Sequence, residues 1–382
     1  MARTLVLGGG FGGLAAATHL RRVLPSSDEV VLVARDHRFA MGWAKIWDLV
    51  GIRALADGTR ELPDLRERGI DFRHADITQI AAEDGGVVTT DGDVAADGMV
   101  IALGAPSHPD QAAQLDGAFG HDLYDVRALE GAKLALAGLT EGQLVVAIMG
   151  QPVKCPPAPF EAILALDAHL RARGVRDAIE LTLATPSPGA LPVAGADASE
   201  AVAARLIERG IGLRLEHLAT AVDHVSRTVT FDTGARISAD LVFGVPAAAP
   251  PRVVSESSVA AADGWIHPDP QQLTTSAERV YAVGDCTTIP TATAALPKAG
   301  VFAAGAGRVA AANLAADLDA GPRAEFDGHG HCYLEFPGQE VAVVEGDFFA
   351  RPVPQVSLTA PSRAAYDDKL AFEAQLLNEW FG

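Results

Sequence analysis

Apolar and polar residues fall in blocks along the chain, and the blocks mark its elements. A buried-type run, Thr4 to Leu7, leads at once into Gly8-Gly9-Gly10-Phe11-Gly12-Gly13. Leu14 to Val23 then reads as a helix with alanines on its sheet-facing side, and Val30 to Val33 as a second apolar strand. This is a βαβ opening. Asp91-Gly92-Asp93 marks hairpin turns, and the strand Met99 to Ala102 ends in Leu103-Gly104-Ala105. A second α/β unit starts with Leu144 to Met149 and stops at Gly150. Residues 160–174 show helical spacing, with Ile163, Leu164, Leu166 and Leu170 on one side and Gly174 as the stop. A strand at Leu181–Ala184, a helix at Ser199–Gly210 and a strand at Leu241–Gly244 complete this unit. A strand at Val280–Val283 and an Ala/Gly helix at Val301–Leu318 follow. The tail predicts strands at Cys332–Phe336 and Glu340–Val344 and a last helix at Tyr366–Trp380. No solenoid repeat or low-complexity linker interrupts the pattern, and the two α/β units look like related halves.

Composition narrows the function classes. The chain has 382 residues, more than one core usually serves, and 49% are hydrophobic, which excludes a disordered chain. Its net charge of −19 argues against nucleic-acid binding, and anionic membrane surfaces would repel most of the chain. Three cysteines, Cys155, Cys286 and Cys332, are too few for a secreted disulfide scaffold, so a pair would serve redox chemistry. A strand pattern from Arg3 leaves no room for a leader, and no apolar run is long enough to span a bilayer, so a cytoplasmic location is expected.

Gly8, Gly10 and Gly13 form a G-x-G-x-x-G between strand and helix. The first glycine allows the tight turn, the second lets a diphosphate approach the backbone, and the third lets helix and strand pack closely. Phe11 opens the helix. The acid expected at the end of the second strand is absent at Ala34 and Arg35, leaving Asp36 beside Arg35 or backbone groups to hold the ribose. Two later segments select FAD over NAD. Met99 to Gly104, including Ala102, resembles the return across a bound FAD. Thr275 to Asp285 resembles the second FAD motif, in which Asp285 binds the ribityl chain and Gly284 permits close approach. The fold class is therefore α/β, two Rossmann-like domains plus a C-terminal α+β segment. Residues 1–112 and 251–320 form the FAD-binding domain, 113–250 a degenerate NAD-like domain, and 321–382 the C-terminal segment.

The second unit lacks the matching glycine motif. Gly150-Gln151-Pro152-Val153-Lys154-Cys155-Pro156-Pro157-Ala158-Pro159 keeps one glycine and gains four prolines, which remove backbone donors where a diphosphate would lie. Nicotinamide-nucleotide binding is expected to be lost here. Cys155 lies between a strand end and a helix N-terminus, with Lys154 adjacent, which predicts a stabilised thiolate.

The segment Val153 to Glu161 resembles the active-site loop of the sulfide:quinone oxidoreductase and flavocytochrome c sulfide dehydrogenase flavoprotein family. Pro297 to Ala303 resembles the segment that opens a helix under the flavin, and His331 to Phe336 the segment with the second redox cysteine. The resemblance runs through most of the chain. It implies a Cys155–Cys332 disulfide, a persulfide formed on it by hydrosulfide, and a freed thiolate, with Cys332 favoured, that passes two electrons to FAD. Quinone is the expected acceptor, and a sulfide or related sulfane-sulfur compound the substrate. Lys298 and the helix N-terminus at Gly300 would stabilise charge on the reduced flavin. Glu161 is either a base in the cavity or a cap on its helix. Cys286 reads as structural.

Departures from the family pattern shape further expectations. The stretch Phe39–Trp43 has no cysteine, so FAD is expected to be non-covalent, and no third active-site cysteine lies upstream of Cys155. Leu370, Leu377, Trp380 and Phe381 either pack on protein, the favoured alternative, or meet a membrane interface. A homodimer is expected, a peripheral contact with the cytoplasmic membrane face stays open, and no metal site is assigned, His329 and His331 included. The competing functions are a type II NADH dehydrogenase-like enzyme and a flavoprotein redox sensor.

Overall fold

In the computed structural model, which describes residues 1–115 and 117–382, two parallel sheets form the two α/β units. The first orders its strands Val280–Ala282, Gly98–Ile101, Arg3–Leu7, Glu29–Ala34 and Asp71–His74. Leu5 pairs with both Val31 and Met99, and Met99 with Val280, so the apolar runs lie in register. Val6, Leu32, Val100 and Tyr281 pack on one face, and Leu7, Val33, Ile101 and Ala282 on the other. Burial on both faces explains why these strands read as unbroken apolar runs. The helices Phe11–Val23 and Gly300–Asp317 lie side by side on the first face. Gly307 permits this, because a Cβ there would overlap the Gly12 carbonyl oxygen.

The second sheet orders Gly120–Asp122, Leu241–Val245, Gly142–Ile148, Ile179–Ala184 and Ile211–Arg214, again all parallel. The helix Ala158–Ala172 covers one face. It starts earlier than its apolar spacing suggested, because Pro157 serves as N-cap and Pro159 sits in the first turn, where a missing N–H breaks no helical bond. Asp167 lies inside this unit, fully buried, and holds Arg176 at 2.6 Å, Arg209 at 2.6 Å and Arg171 at 3.1 Å.

A third layer closes the molecule. The antiparallel strands His329–Phe336, Glu340–Asp347 and Gln355–Leu358 are followed by the helix Arg363–Phe381, capped by Ser362, whose hydroxyl accepts from the Ala365 N–H at 3.1 Å. The first of these strands runs against both the Ala158–Ala172 and the Gly300–Asp317 helices, bridging the two α/β units. Trp380 is fully buried against Phe11 and Phe39, and Leu377 is buried with it, so both pack on protein and do not face a membrane. No helix among the described residues is long and apolar enough to cross a membrane.

Burial alone would raise the Asp167 carboxyl, but the three guanidinium groups hold it below its ordinary range. Asp167→Ala leaves buried cations unpaired and is expected to destabilise the second unit by about 3–5 kcal/mol, read from the denaturant midpoint. A folded-state value below the unfolded one means that the contribution is present at neutral pH. It is lost only as pH falls below the ordinary carboxylate range.

Candidate active site: a cysteine pair beside a dinucleotide cradle

The glycine turn after Arg3–Leu7 divides its labour in an observable way. Gly8 has φ +109 and lies against the Ala102 carbonyl, where a Cβ would overlap it, and a Cβ on Gly13 would overlap the Gly8 carbonyl. Gly10 has only open space where a Cβ would project, and so has Gly104. The helix that follows Gly10 has no side-chain cap and no acid in its first turn, and the same holds at Gly300. Two free helix N-termini and two open glycine positions suit a diphosphate and a flavin. Asp285 borders a small cavity with Gly284 and Lys298; burial raises its carboxyl, and Lys298 and Lys154 oppose the rise. These residues fit FAD: Gly10 and Phe11 N–H groups for the diphosphate, Asp285 for the ribityl hydroxyls, and the Gly300 turn for the ring system. Arg35 and Asp36 lie at the strand end as an exposed pair 3.8 Å apart.

Cys155 sits on the loop that leaves Gly142–Ile148. Its φ of +47 is a conformation that costs a non-glycine residue about 1 kcal/mol, and three backbone bonds hold the loop there. The Cys155 N–H donates to the Lys298 carbonyl at 2.7 Å, the Ala158 N–H to the Cys155 carbonyl at 2.8 Å, and the Ala248 N–H to the Pro152 carbonyl at 2.8 Å. Cys332 comes from the bridging strand His329–Phe336. Both cysteines are half-buried free thiols packed against the same apolar cluster, and Cys332 is the group that acts most strongly on Cys155. Cys286 is fully buried, donates to the Val283 carbonyl at 3.3 Å, and is pushed up to about 11 by burial.

The electrostatics correct the expected thiolate. The neighbouring Cys332 thiol, burial and the charge of Glu161 all push the Cys155 thiol well up, and the cation opposing them is Lys45. Lys154 turns away: its Nζ donates to the Ala105 carbonyl at 3.1 Å and lies 5.1 Å from the Tyr124 ring centre. Lys45 donates to the Tyr124 carbonyl at 3.1 Å, and burial pulls it down to about 8. Glu161 is no cap. Its Oε1 accepts from the Glu335 N–H at 2.9 Å and from Lys369 Nζ at 3.3 Å, and burial raises its carboxyl. Lys298 also differs from expectation. Its Nζ donates to the carbonyls of Asp285 at 2.8 Å and Thr287 at 2.9 Å and sits 3.7 Å from the Trp265 ring centre. Its charge thus fixes the Asp285 turn, and its own carbonyl anchors Cys155.

The crevice of the second unit is filled. A Cβ on Gly150 would lie 2.8 Å from both Ala247 Cβ and Gln111 Nε2. Gln111 donates to the Met149 carbonyl at 2.9 Å and accepts from the Ala247 N–H at 2.7 Å. It thereby ties together the two strand ends between which a dinucleotide would enter.

Lys45, Lys369, Glu335, Gln111 and the Trp43–Trp47 pair were not singled out from the sequence. The final helix did carry a signal: Ala365, Tyr366, Lys369, Glu373, Leu376, Leu377 and Trp380 are its buried residues, so two charges fall on the apolar stripe. His329 and His331 belong to no cluster of metal-ligating residues among the described ones.

The profile of the pyridine nucleotide-disulphide oxidoreductase family matches residues 2–150 and 162–299. The chain belongs to that family. It is an FAD-dependent oxidoreductase, and the residues between the two matched stretches, 151–161, are the loop of Cys155 and the first turn of the helix Ala158–Ala172. The likeness to sulfide:quinone oxidoreductases is borne out. The mitochondrial enzyme of Mus musculus is 24% identical over 91% of this chain and 79% of its own length, and that of Dictyostelium discoideum 25% over 76% and 66%. Among solved structures, the sulfide:quinone oxidoreductase of Aquifex aeolicus superimposes with a TM-score of 0.90 at 22% identity, over 100% of this chain and 92% of the other. An NAD-dependent persulfide reductase from A. fulgidus reaches 0.71 at 20% identity, over 90% and 64%. At these identities the solved structures establish the shared two-domain fold.

Two predictions follow from the geometry. Gly10→Val projects into open space from an extended backbone (φ −88, ψ −169), so it is expected to fold but to bind FAD at least about tenfold more weakly, whereas Gly13→Val is expected not to fold. Flavin absorbance and circular dichroism distinguish the two. In the reduced protein, Cys332→Ala removes the main cause of the raised Cys155 thiol. It should shift the pH profile of Cys155 alkylation by iodoacetamide to lower pH.

Proposed function

We propose that the chain oxidises hydrosulfide, or a related persulfide or thiol, through a Cys155–Cys332 disulfide, and that a quinone takes the electrons onward. The closeness of these two thiols, with Cys155 on a loop that stands where a nucleotide-binding turn would be, is the observation that carries this reading. Hydrosulfide attacks Cys155 Sγ, a new S–S bond forms, and the Cys155–Cys332 bond breaks. Cys155 then holds the persulfide and Cys332 leaves as the thiolate. A second hydrosulfide or another thiol then takes the sulfane sulfur and leaves Cys155 as a thiolate, and bound FAD would supply the two-electron acceptor with which the two thiolates rejoin as the disulfide. Lys45, the cation on the Cys155 side, favours negative charge there. Lys298 holds the Asp285 turn and the Cys155 loop in one frame, and the uncapped N-terminus at Gly300 favours negative charge beside it. The mitochondrial relatives are named sulfide:quinone oxidoreductases, which supports both substrate and acceptor. The filled crevice at Gly150 and Gln111 weighs against an NADH dehydrogenase. A cytoplasmic homodimer that meets quinone at the membrane face, with 1–112 and 251–320 holding FAD, belongs to the same proposal.

Anaerobic titration of the FAD-loaded protein tests it. One equivalent of sulfide is expected to bleach the flavin, NADH is not, and Cys155→Ser or Cys332→Ser abolishes bleaching while FAD stays bound. Rapid bleaching by NADH with none by sulfide would falsify the proposal.

A further inference from the structure

Two lysines meet on one aromatic ring beside the Cys155 loop. Lys45 comes from the short helix Ala44–Leu49, and Lys154 is the residue before Cys155. Each ammonium nitrogen lies 5.1 Å from the centre of the Tyr124 ring. Lys45 Nζ donates to the Tyr124 carbonyl and Lys154 Nζ to the Ala105 carbonyl, both at 3.1 Å. The Tyr124 hydroxyl donates to the Lys154 carbonyl, so the ring, both lysines and the cysteine loop form one unit. The neighbouring acids are engaged elsewhere. Asp122 accepts from the Tyr124 N–H at 2.8 Å, and Asp125 holds Arg127 at 2.9 Å. Among the described residues no carboxylate pairs with either ammonium.

An ammonium has three N–H donors and no acceptor. Each of these two spends one donor on a carbonyl and keeps two. Both residues are half-buried; burial and the like charge of Lys154 pull Lys45 down to about 8, and burial lowers Lys154. Two like charges held together away from bulk water without a counter-ion carry a cost that a bound anion offsets. A carboxylate has two oxygens with about four lone-pair sites, which matches the donors left free. We infer that Lys45 and Lys154, over the Tyr124 ring, hold the carboxylate of a small thiol that takes the sulfane sulfur from Cys155. The inference rests on the sulfide-oxidising function above and gives the sulfur acceptor a chemical class.

The step is an exchange with no net redox change. The acceptor thiolate attacks the outer sulfur of the Cys155 persulfide, a new S–S bond forms, and the bond from that sulfur to Cys155 Sγ breaks (Cys155–S–S⁻ + R–S⁻ → Cys155–S⁻ + R–S–S⁻). The thiol proton goes to water when the acceptor ionises. Persulfide and thiolate repel each other, and a carboxylate on the acceptor adds to that repulsion. Without nearby cations a carboxylate-bearing thiol is therefore the poorer acceptor, and with two ammonium groups to hold it, the better one. The sign of this preference separates a binding role from a merely structural one.

The test uses the full-length, FAD-loaded protein. One equivalent of sulfide is added without oxygen, and the protein is then mixed with mercaptoacetate or with uncharged 2-mercaptoethanol. Rapid-quench mass spectrometry follows the loss of one sulfur atom from Cys155. The rate ratio is expected to favour mercaptoacetate by about tenfold, roughly the worth of one hydrogen bond to a charged group. It should fall to about one or below in Lys45→Met and Lys154→Met, and be kept in Lys45→Arg. In parallel, calorimetry on the oxidised proteins measures binding of (methylthio)acetate, which has no thiol to react; each Lys→Met variant should bind it at least about tenfold more weakly. Equal ratios in all proteins, or lysine variants that lose FAD while keeping (methylthio)acetate, overturn the inference. Wild-type protein that sulfide does not bleach overturns the function reading instead, and the calorimetry then decides the lysine site by itself.

Discussion

The Cys155 N–H to Lys298 carbonyl bond, 2.7 Å long, fixes how the two α/β units meet at the site. Cys155 leaves the second sheet, Lys298 stands just before the helix that packs on the first, and Cys332 arrives on a strand from a third layer. A cysteine pair whose surroundings come from three layers requires each backbone to be placed accurately. The loop stitches supply that accuracy on the Cys155 side. On the other, the strand His329–Phe336 does so by lying against both the Ala158–Ala172 and Gly300–Asp317 helices.

Around this frame the protein tolerates costly buried charge. Moving ions out of water costs several kcal/mol each, so a cluster persists only with good partners. Asp167 meets that condition with three arginines on its two oxygens and acts as structure. In the Glu161–Lys369–Glu335 group two acids share one buried ammonium, and the Trp47 indole and the Glu335 N–H supply the other donors.

The crevice at the carboxyl ends of the second sheet shows the same economy of parts. In a dinucleotide-binding unit this is the place for a ligand. Here Gln111 joins the strand ends, Gly150 is crowded by Ala247, and the proline-rich loop carries a thiol in place of free N–H groups. Where such a unit would hold a nucleotide, this one holds Cys155.

The sequence by itself determined what depends on short-range order. The unbroken apolar strands, the glycine spacing at Gly8, Gly10 and Gly13, and the proline-rich loop at Cys155 each need only neighbours along the chain to be understood. Their family resemblance singled out Cys155 and Cys332 for the same reason. Tertiary structure alone decided the electrostatics. Lys45, and not Lys154, faces Cys155; Lys298 spends its donors on Asp285 and Thr287; Glu161 meets Lys369 from a helix more than two hundred residues away in sequence. Charge acts through space and through burial, and neither distance nor burial is written in the order of residues along a chain.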